Sequence, residues 1–175
     1  MPFLFWLQLL RPHQWTKNTL LFLQLLAAHQ ANALAPWASL LLAFMAFNLA
    51  ASAIYVINDL CDIQADRVHP RKCHRPFAAG VLSVKKGWLI VPVLLIPSVC
   101  LASFISTDFL TWLSVYVMLS GLYSWRLRRW VLIDCLLLAS LYTLRVIAGA
   151  SVVQLPPSFW LLSCTTFLFL SLAFL

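Results

Sequence analysis

The chain contains no glutamate, and its five acidic residues are all aspartate. Charge of either sign is scarce, at 10% of the 175 residues, where a soluble domain carries about 25%. So few charges cannot dress a water-facing surface, which excludes an ordinary soluble domain. The five cysteines include no C-x-x-C pair. Cys61, His69, Cys73 and His74 fall close together, but their spacing matches no zinc pattern, so a structural zinc site is not expected. Cys100, Cys135 and Cys164 sit in apolar runs and read as small core residues. Met1 to Leu10 lacks a basic start and a small-residue cleavage site before Arg11-Pro12. It reads as an interfacial helix or the entry to a span, not as a cleavable signal peptide.

What the chain has in abundance is apolar residues, 63% of the total, with a mean hydropathy of +0.91. The expected class is an all-α integral membrane protein. Six runs read as transmembrane helices, at residues 19–35, 37–58, 87–106, 108–124, 131–153 and 158–175. Each is near the ~20 residues that cross a bilayer. The first is the weakest, interrupted by Gln24 and His29. Residues 1–175 form one transmembrane domain on this reading.

The basic residues fall on alternate connections. Arg11 and Lys17 precede the first run. Arg67, Arg71, Lys72, Arg75, Lys85 and Lys86 fill the second connection, and Arg126, Arg128 and Arg129 the fourth. The intervening connections, near 29–36, 106–108 and 154–157, hold no Lys or Arg. That alternation places the N-terminus and the basic loops in the cytoplasm of a multi-pass inner (cytoplasmic) membrane protein. The +7 net charge is therefore a topology signal, with membrane lipid as the partner and no nucleic acid. The last run should emerge on the basic side, yet no basic cluster follows it, so the chain is expected to be the N-terminal part of a longer protein.

Three of the five aspartates lie between residues 58 and 66, at the end of the second run. Asp59, Asp62 and Asp66 are spaced i, i+3, i+7, which on a helix puts all three on one narrow face, with Asn58 beside it. Carboxylates at a membrane boundary are costly to desolvate and mark a functional site. Converging carboxylates repel unless a cation lies between them. Hard oxygen ligands suit Mg²⁺, which binds through a few carboxylates plus substrate phosphates. The following loop carries Arg67, Arg71, Lys72 and Arg75, suited to the remaining phosphate oxygens. Taken alone, such a loop in most cases serves only topology and lipid head groups; beside the aspartate face, phosphate binding is the favoured reading. Arg145 lies deep in the fifth run, where a cation faces a polar cavity or a partner. Asp134, eleven residues earlier, would be roughly 16 Å away along the helix, too far for a direct pair, and would meet Arg126–Arg129 instead. Asn48 and Gln24 either line a cavity or bond between helices.

Asn58-Asp59-x-x-Asp62-x-x-x-Asp66, followed by Arg75-Pro76 and Gly80, resembles the first Asp-rich motif of the UbiA superfamily of membrane prenyltransferases. Four further segments resemble its polyprenyl-phosphate (decaprenyl-phosphate) phosphoribosyltransferase branch. They are Arg11-Pro12-His13-Gln14-Trp15-Thr16-Lys17-Asn18, Ala65-Asp66-Arg67-x-His69-Pro70, Tyr123-Ser124-x-Arg126-Leu127 and Leu144-Arg145-x-Ile147-Ala148-Gly149-Ala150. The resemblance implies a nine-helix bundle around a central cavity, with a second Asp-rich motif after the sixth span. It also implies Mg²⁺ held by Asp59, Asp62 and Asp66 as the catalytic set. The implied substrate-binding residues are Lys17, Asn18, Asn58, Arg67, Lys72, Arg75 and Arg145. The implied reaction moves 5-phosphoribose from phosphoribosyl diphosphate to a polyprenyl phosphate. The alternative within the family joins a polyprenyl diphosphate to an aromatic acceptor. Outside it stands a cation transporter or channel subunit, against which the basic loop beside the aspartates and their position at one end of a span both argue.

Overall fold

The computed structural model describes residues 2–28, 34–125 and 131–174, and no strand occurs among them. Helix α1 (Pro2–Leu10) leads through Arg11 into a 3-10 helix, Pro12–Phe22, and then a short α2, Leu23–Ala27. Helix α3 runs Leu34–Cys61 and α4 runs Ile63–Val68. After a loop come α5 (Val84–Ile105), α6 (Thr107–Trp125), α7 (Val131–Val152) and α8 (Phe159–Ala173).

Three of these are long and apolar enough to cross a bilayer among the described residues: Pro36–Cys61, Val84–Ile105 and Asp134–Val152. Three of the six expected spans are therefore long and apolar enough among the described residues, and the other three runs fall on shorter or more polar helices. The first run is not one α-helix but an 11-residue 3-10 helix followed by a five-residue α2. Pro12, Trp15, Thr16, Asn18 and Thr19 account for part of this, since β-branched and hydrogen-bonding side chains disfavour α geometry. Helix α6 carries Thr107, Asp108, Thr111, Ser114, Ser120 and Ser124 among its 19 residues. Helix α8 has 15 residues, short for a span. The His29 interruption and the Arg126, Arg128 and Arg129 cluster lie outside the described residues.

Helix α3 is central. In its most apolar window 61% of residues are buried, against 17% for α5, so most of α5 is left uncovered by the other described residues. The buried face of α3 is lined by Ala43, Ala46, Ala50 and Ala53. Small residues at i, i+3, i+4 spacing let neighbouring helices approach closely, which is how apolar helices associate where lipid removes the hydrophobic drive. Ser98 on α5 donates a buried hydrogen bond of 2.7 Å to the Ala46 carbonyl. Phe47 packs against Phe109 and Tyr116 of α6, with ring centroids 6.1 and 4.7 Å apart. Helix α7 packs on α6, α8 and the 3-10 helix.

Local sequence sets the ends. Ser83 caps α5, its hydroxyl accepting from the Lys86 amide at 3.4 Å, and Ser106 does the same for Phe109 at 3.1 Å in α6. Gln24 donates to the Pro156 carbonyl at 3.0 Å, tying α2 to the α7–α8 connection. Asn48 also bonds between elements, which resolves both residues as interhelical ties.

Candidate functional site: a carboxylate-arginine cluster beside a tyrosine-lined cavity

The aspartates do not share one uninterrupted helix. Helix α3 ends at Cys61, and Asp62 leaves the helical region at φ −94°, ψ 8° before α4 begins at Ile63. The turn spacing nevertheless continues, because the Asp62 amide donates to the Asn58 carbonyl (2.9 Å) and the Asp66 amide to the Asp62 carbonyl (2.8 Å). The three side chains thus stay on one side of a broken helix, with different burial. Asp59 is 2% exposed and Asp66 3%, while Asp62 is half-buried.

The cation between them is a side chain. Arg75 Nη1 donates to Asp59 Oδ1 at 3.1 Å and to Asp66 Oδ2 at 2.7 Å. Arg11 Nη2 donates to the same Asp59 Oδ1 at 2.6 Å. Charge-assisted bonds of this length are the strong ones, and they offset the cost of burying two carboxylates.

Both arginines are held in place. Arg11 sits at φ 50°, ψ 56°, a left-handed conformation that a non-glycine residue rarely adopts. Its guanidinium lies 5.2 Å from the Tyr55 ring centre. Arg75 rides on a loop anchored two residues later by Phe77, which is buried. Phe77 fits because position 87 is glycine: a Cβ there would lie 2.6 Å from the Phe77 ring and 2.7 Å from Leu60.

Two adjoining cavities meet at this cluster. The outer one, about 120 Å³, is walled by Arg11, Asn58, Asp59, Asp62, Arg75 and Ser124, with Tyr55 and Tyr123. The deeper one, about 250 Å³, shares Tyr55, Asn58 and Tyr123 with it and adds Lys17, Tyr142 and Arg145, with Tyr116 and Ser120. All four tyrosines of the chain therefore converge on one cavity.

Arg145 is 5% exposed and pairs with no carboxylate among the described residues. Its Nε donates to Asn18 Oδ1 (2.8 Å), Nη1 to the Leu141 carbonyl (2.6 Å) and Nη2 to the Tyr116 hydroxyl (3.3 Å). Its guanidinium lies 5.0 and 5.3 Å from the ring centres of Tyr116 and Tyr142. Asn18 in turn donates from Nδ2 to Asn48 Oδ1 at 2.7 Å. The chain Asn48–Asn18–Arg145–Tyr116 joins α3, the 3-10 helix, α7 and α6. Lys17 reaches the same cavity from the next residue, its Nζ 5.8 Å from the Tyr142 ring centre.

The expected site residues thus divide. Asp59, Asp62, Asn58, Arg75, Lys17 and Arg145 line the two cavities, and Asp66 joins them through Arg75. Asn18 stands behind Arg145 rather than on the cavity wall. Arg67 and Lys72 line neither cavity, and Arg67 Nε donates to the Ala78 carbonyl at 3.3 Å. Arg11 and Tyr55, Tyr116 and Tyr142 were not foreseen as site residues. Tyr55 had a signal, lying one turn before Asp59. Tyr116 and Tyr142 had none, because nothing local shows that their helices meet.

Buried acceptors without a hydrogen-bond partner test the fit to a divalent cation. Asp59 Oδ2 and Asn58 Oδ1 are two such atoms, and both residues wall the outer cavity beside Asp62. These are hard oxygens of the kind Mg²⁺ takes. No three His, Cys or Asp side chains form a metal cage among the described residues. The donors therefore suit an ion that completes its shell with water and substrate oxygens. Gln14 Oε1 and Ser120 Oγ are likewise buried and unpartnered on the deeper cavity, so that cavity is built to receive hydrogen bonds.

Apolar helices long enough to cross a bilayer, with a polar, charged cavity beside an aspartate cluster, define a membrane-embedded helical bundle with a built polar site. The chain belongs to the UbiA prenyltransferase family, whose profile matches residues 19–175. It is 40% identical over 173 residues to nodulation protein NoeC of Azorhizobium caulinodans, covering 98% of this chain and 56% of that protein. It is 37% identical over 164 residues to the decaprenyl-phosphate phosphoribosyltransferase of Corynebacterium glutamicum, covering 90% of this chain and 49% of that one. Its fold is similar to a UbiA homologue from Archaeoglobus fulgidus solved with GPP and Mg²⁺. The TM-score is 0.81 and the identity 24%, over 96% of this chain and 60% of that one. The chain thus spans about half the length of these curated relatives.

Proposed function

We propose that this chain supplies the first-motif side of a magnesium-dependent site that transfers 5-phosphoribose from phosphoribosyl diphosphate to a polyprenyl phosphate. The observation that carries the reading is the pair of unpartnered oxygens, Asp59 Oδ2 and Asn58 Oδ1, on the wall of the carboxylate cavity, with Asn58 also lining the tyrosine-lined one. The relatives named decaprenyl-phosphate phosphoribosyltransferase support the choice of substrates.

Asp59, Asp62 and Asp66 are the residues that would hold Mg²⁺, with the Asn58 carbonyl oxygen beside them. The ion, when bound, supplies Lewis-acid stabilisation of the diphosphate leaving group. Arg75 and Arg11 add fixed donors where negative charge grows, in a setting of low dielectric. Lys17 and Arg145 place two further cations on the deeper cavity, which would orient the acceptor phosphate. That phosphate oxygen attacks C1 of the ribose, the C1–O bond to diphosphate breaks, and diphosphate leaves with the electron pair. A phosphate already ionised needs no general base. The tyrosine rings exclude water from C1 and present their faces to the developing positive charge. The cytoplasmic side, read from the basic loops, is where the water-soluble donor would enter and diphosphate would leave.

The test uses the purified chain in nanodiscs with Mg²⁺, polyprenyl phosphate and phosphoribosyl diphosphate labelled in the ribose. Mg²⁺-dependent binding of the labelled donor that falls at least tenfold in Asp59→Asn is expected on charge-assisted ligation. Lipid-extractable label identifies the transfer. Label retained from a prenyl diphosphate with an aromatic acceptor, and none from the ribose donor, would overturn the reading.

A further inference from the structure

A third cavity, about 340 Å³, opens on the other side of the arginine pair and is walled by Gln8, Arg11, His13, Arg71, His74, Arg75 and Pro76. It carries three arginines and two histidines and no carboxylate. Arg11 and Arg75 also wall the carboxylate cavity, so these two guanidinium groups form a partition between an aspartate-bearing chamber and a purely basic one. Their bonds to Asp59 and Asp66 use one terminal nitrogen of each, and a guanidinium has five N–H donors. Arg71 is exposed and has no acidic partner among the described residues; only its backbone amide is engaged, by His69 Nδ1 at 3.2 Å. The chamber is assembled from two separate segments, residues 8–13 across the left-handed joint at Arg11 and the loop at 71–76. The strained Arg11 backbone is what turns that side chain between the two chambers.

We propose that this basic chamber binds a phosphate monoester. A planar fork such as Arg71 suits phosphate oxygens, and Arg11 and Arg75, which line both chambers, put guanidinium donors on their shared side. The proposal rests on the transferase reading only in naming the ligand, which is then the 5-phosphate of the phosphoribosyl donor. That donor is anionic at both ends of one small sugar, and it needs two anion-binding chambers side by side, one of them built around a metal ion. An allylic diphosphate is anionic at one end only and leaves this chamber without a purpose. The competing anion is the phosphodiester of an anionic lipid head group, since the chamber lies among the basic residues of the bundle.

Ribose 5-phosphate, titrated against the chain in phosphatidylcholine nanodiscs by calorimetry, is the probe. Arg71→Ala and His74→Gln are exposed changes that leave the Asp59 and Asp66 bonds in place. The expected result is saturable binding by the unaltered chain and none of free ribose. The double variant should bind on the order of tenfold more weakly or worse, from the loss of charge-assisted donors. Asp62→Asn, which walls only the carboxylate chamber, should keep ribose 5-phosphate affinity while losing Mg²⁺-dependent binding of inorganic diphosphate. The transferase reading can therefore fail without the chamber failing, and the reverse. Equal affinity in the double variant, or no binding at all, overturns the proposal. Displacement of ribose 5-phosphate by phosphatidylglycerol nanodiscs, with lipid retention lost in the double variant, would assign the chamber to a head group and overturn the donor assignment.

Discussion

Gly149 on α7 lies so close to Leu21 on the 3-10 helix that a Cβ there would overlap the Leu21 backbone carbonyl. The two backbones meet with no side chain between them. Arg145 lies one α-turn before Gly149, and Asn18 one 3-10 turn before Leu21. One close approach therefore sets the 2.8 Å bond between Arg145 and Asn18.

Gly149→Ala should push the 3-10 helix away from α7. Overpacking costs about 1–3 kcal/mol, and an obstacle of backbone rather than flexible side chain favours the upper end. The expected outcome is a lower thermal midpoint in detergent, with weaker donor binding because Lys17 and Asn18 move with the helix. An unchanged midpoint would show that the helix shifts freely.

Asn18→Leu should leave Arg145 Nε and Asn48 Oδ1 buried without a partner. Each such group costs about 1–3 kcal/mol, so the variant should be markedly less stable. Arg145→Lys should not restore the network, because an ammonium cannot reach Asn18, Leu141 and Tyr116 with one planar fork. Thermal unfolding of both variants checks this, and a stable Arg145→Lys would contradict it.

Arg75→Ala should leave Asp66 buried with no guanidinium and Asp59 with only Arg11. Removing one partner of a buried pair costs about 3–5 kcal/mol, with a reduction for the solvent that reaches Arg75. Replacing Asp66 by Asn in the same chain should recover part of the loss. A double-mutant cycle on Arg75 and Asp66 measures it, and a coupling near zero would show that the bridge contributes nothing.

Tyr142→Leu should weaken anion binding without unfolding the bundle. The ring lies under both Lys17 and Arg145, and each cation-π contact is worth about 0.5–2 kcal/mol. Tyr142→Phe should behave as the unaltered chain, since the ring face is what the cations meet. Donor affinity measured for the two variants separates these outcomes.

The composition and the charge alternation made the membrane class and the position of Asp59, Asp62 and Asp66 legible, because both are one-dimensional signals. Arg145 was legible as a cavity residue for the same reason, since a cation deep in an apolar run needs a polar surround. The break at Asp62 was not, because a spacing of i, i+3, i+7 reads alike on a straight helix and on one that turns without losing step. The Arg75 bridge was hidden as well. A loop arginine nine residues past Asp66 could face phosphate, lipid or carboxylate, and only the Phe77–Gly87 packing decides it. The convergence of Tyr116 and Tyr142 depends on how α6 and α7 meet, which periodicity does not carry.

The Arg75 bridge has a thermodynamic consequence. Asp59 and Asp66 are already charge-paired with arginine in the folded chain. A metal ion can take the unpartnered Asp59 Oδ2, but its charge then adds to the guanidinium charge on Oδ1, which is unfavourable while no further anion is present. A diphosphate supplies that anion and gives the remaining N–H donors of the arginines a partner. Cation and diphosphate should therefore bind with positive cooperativity, each raising the other's affinity by the same factor. Such a site discriminates against a free ion and a free anion alike, and it assembles only when both arrive.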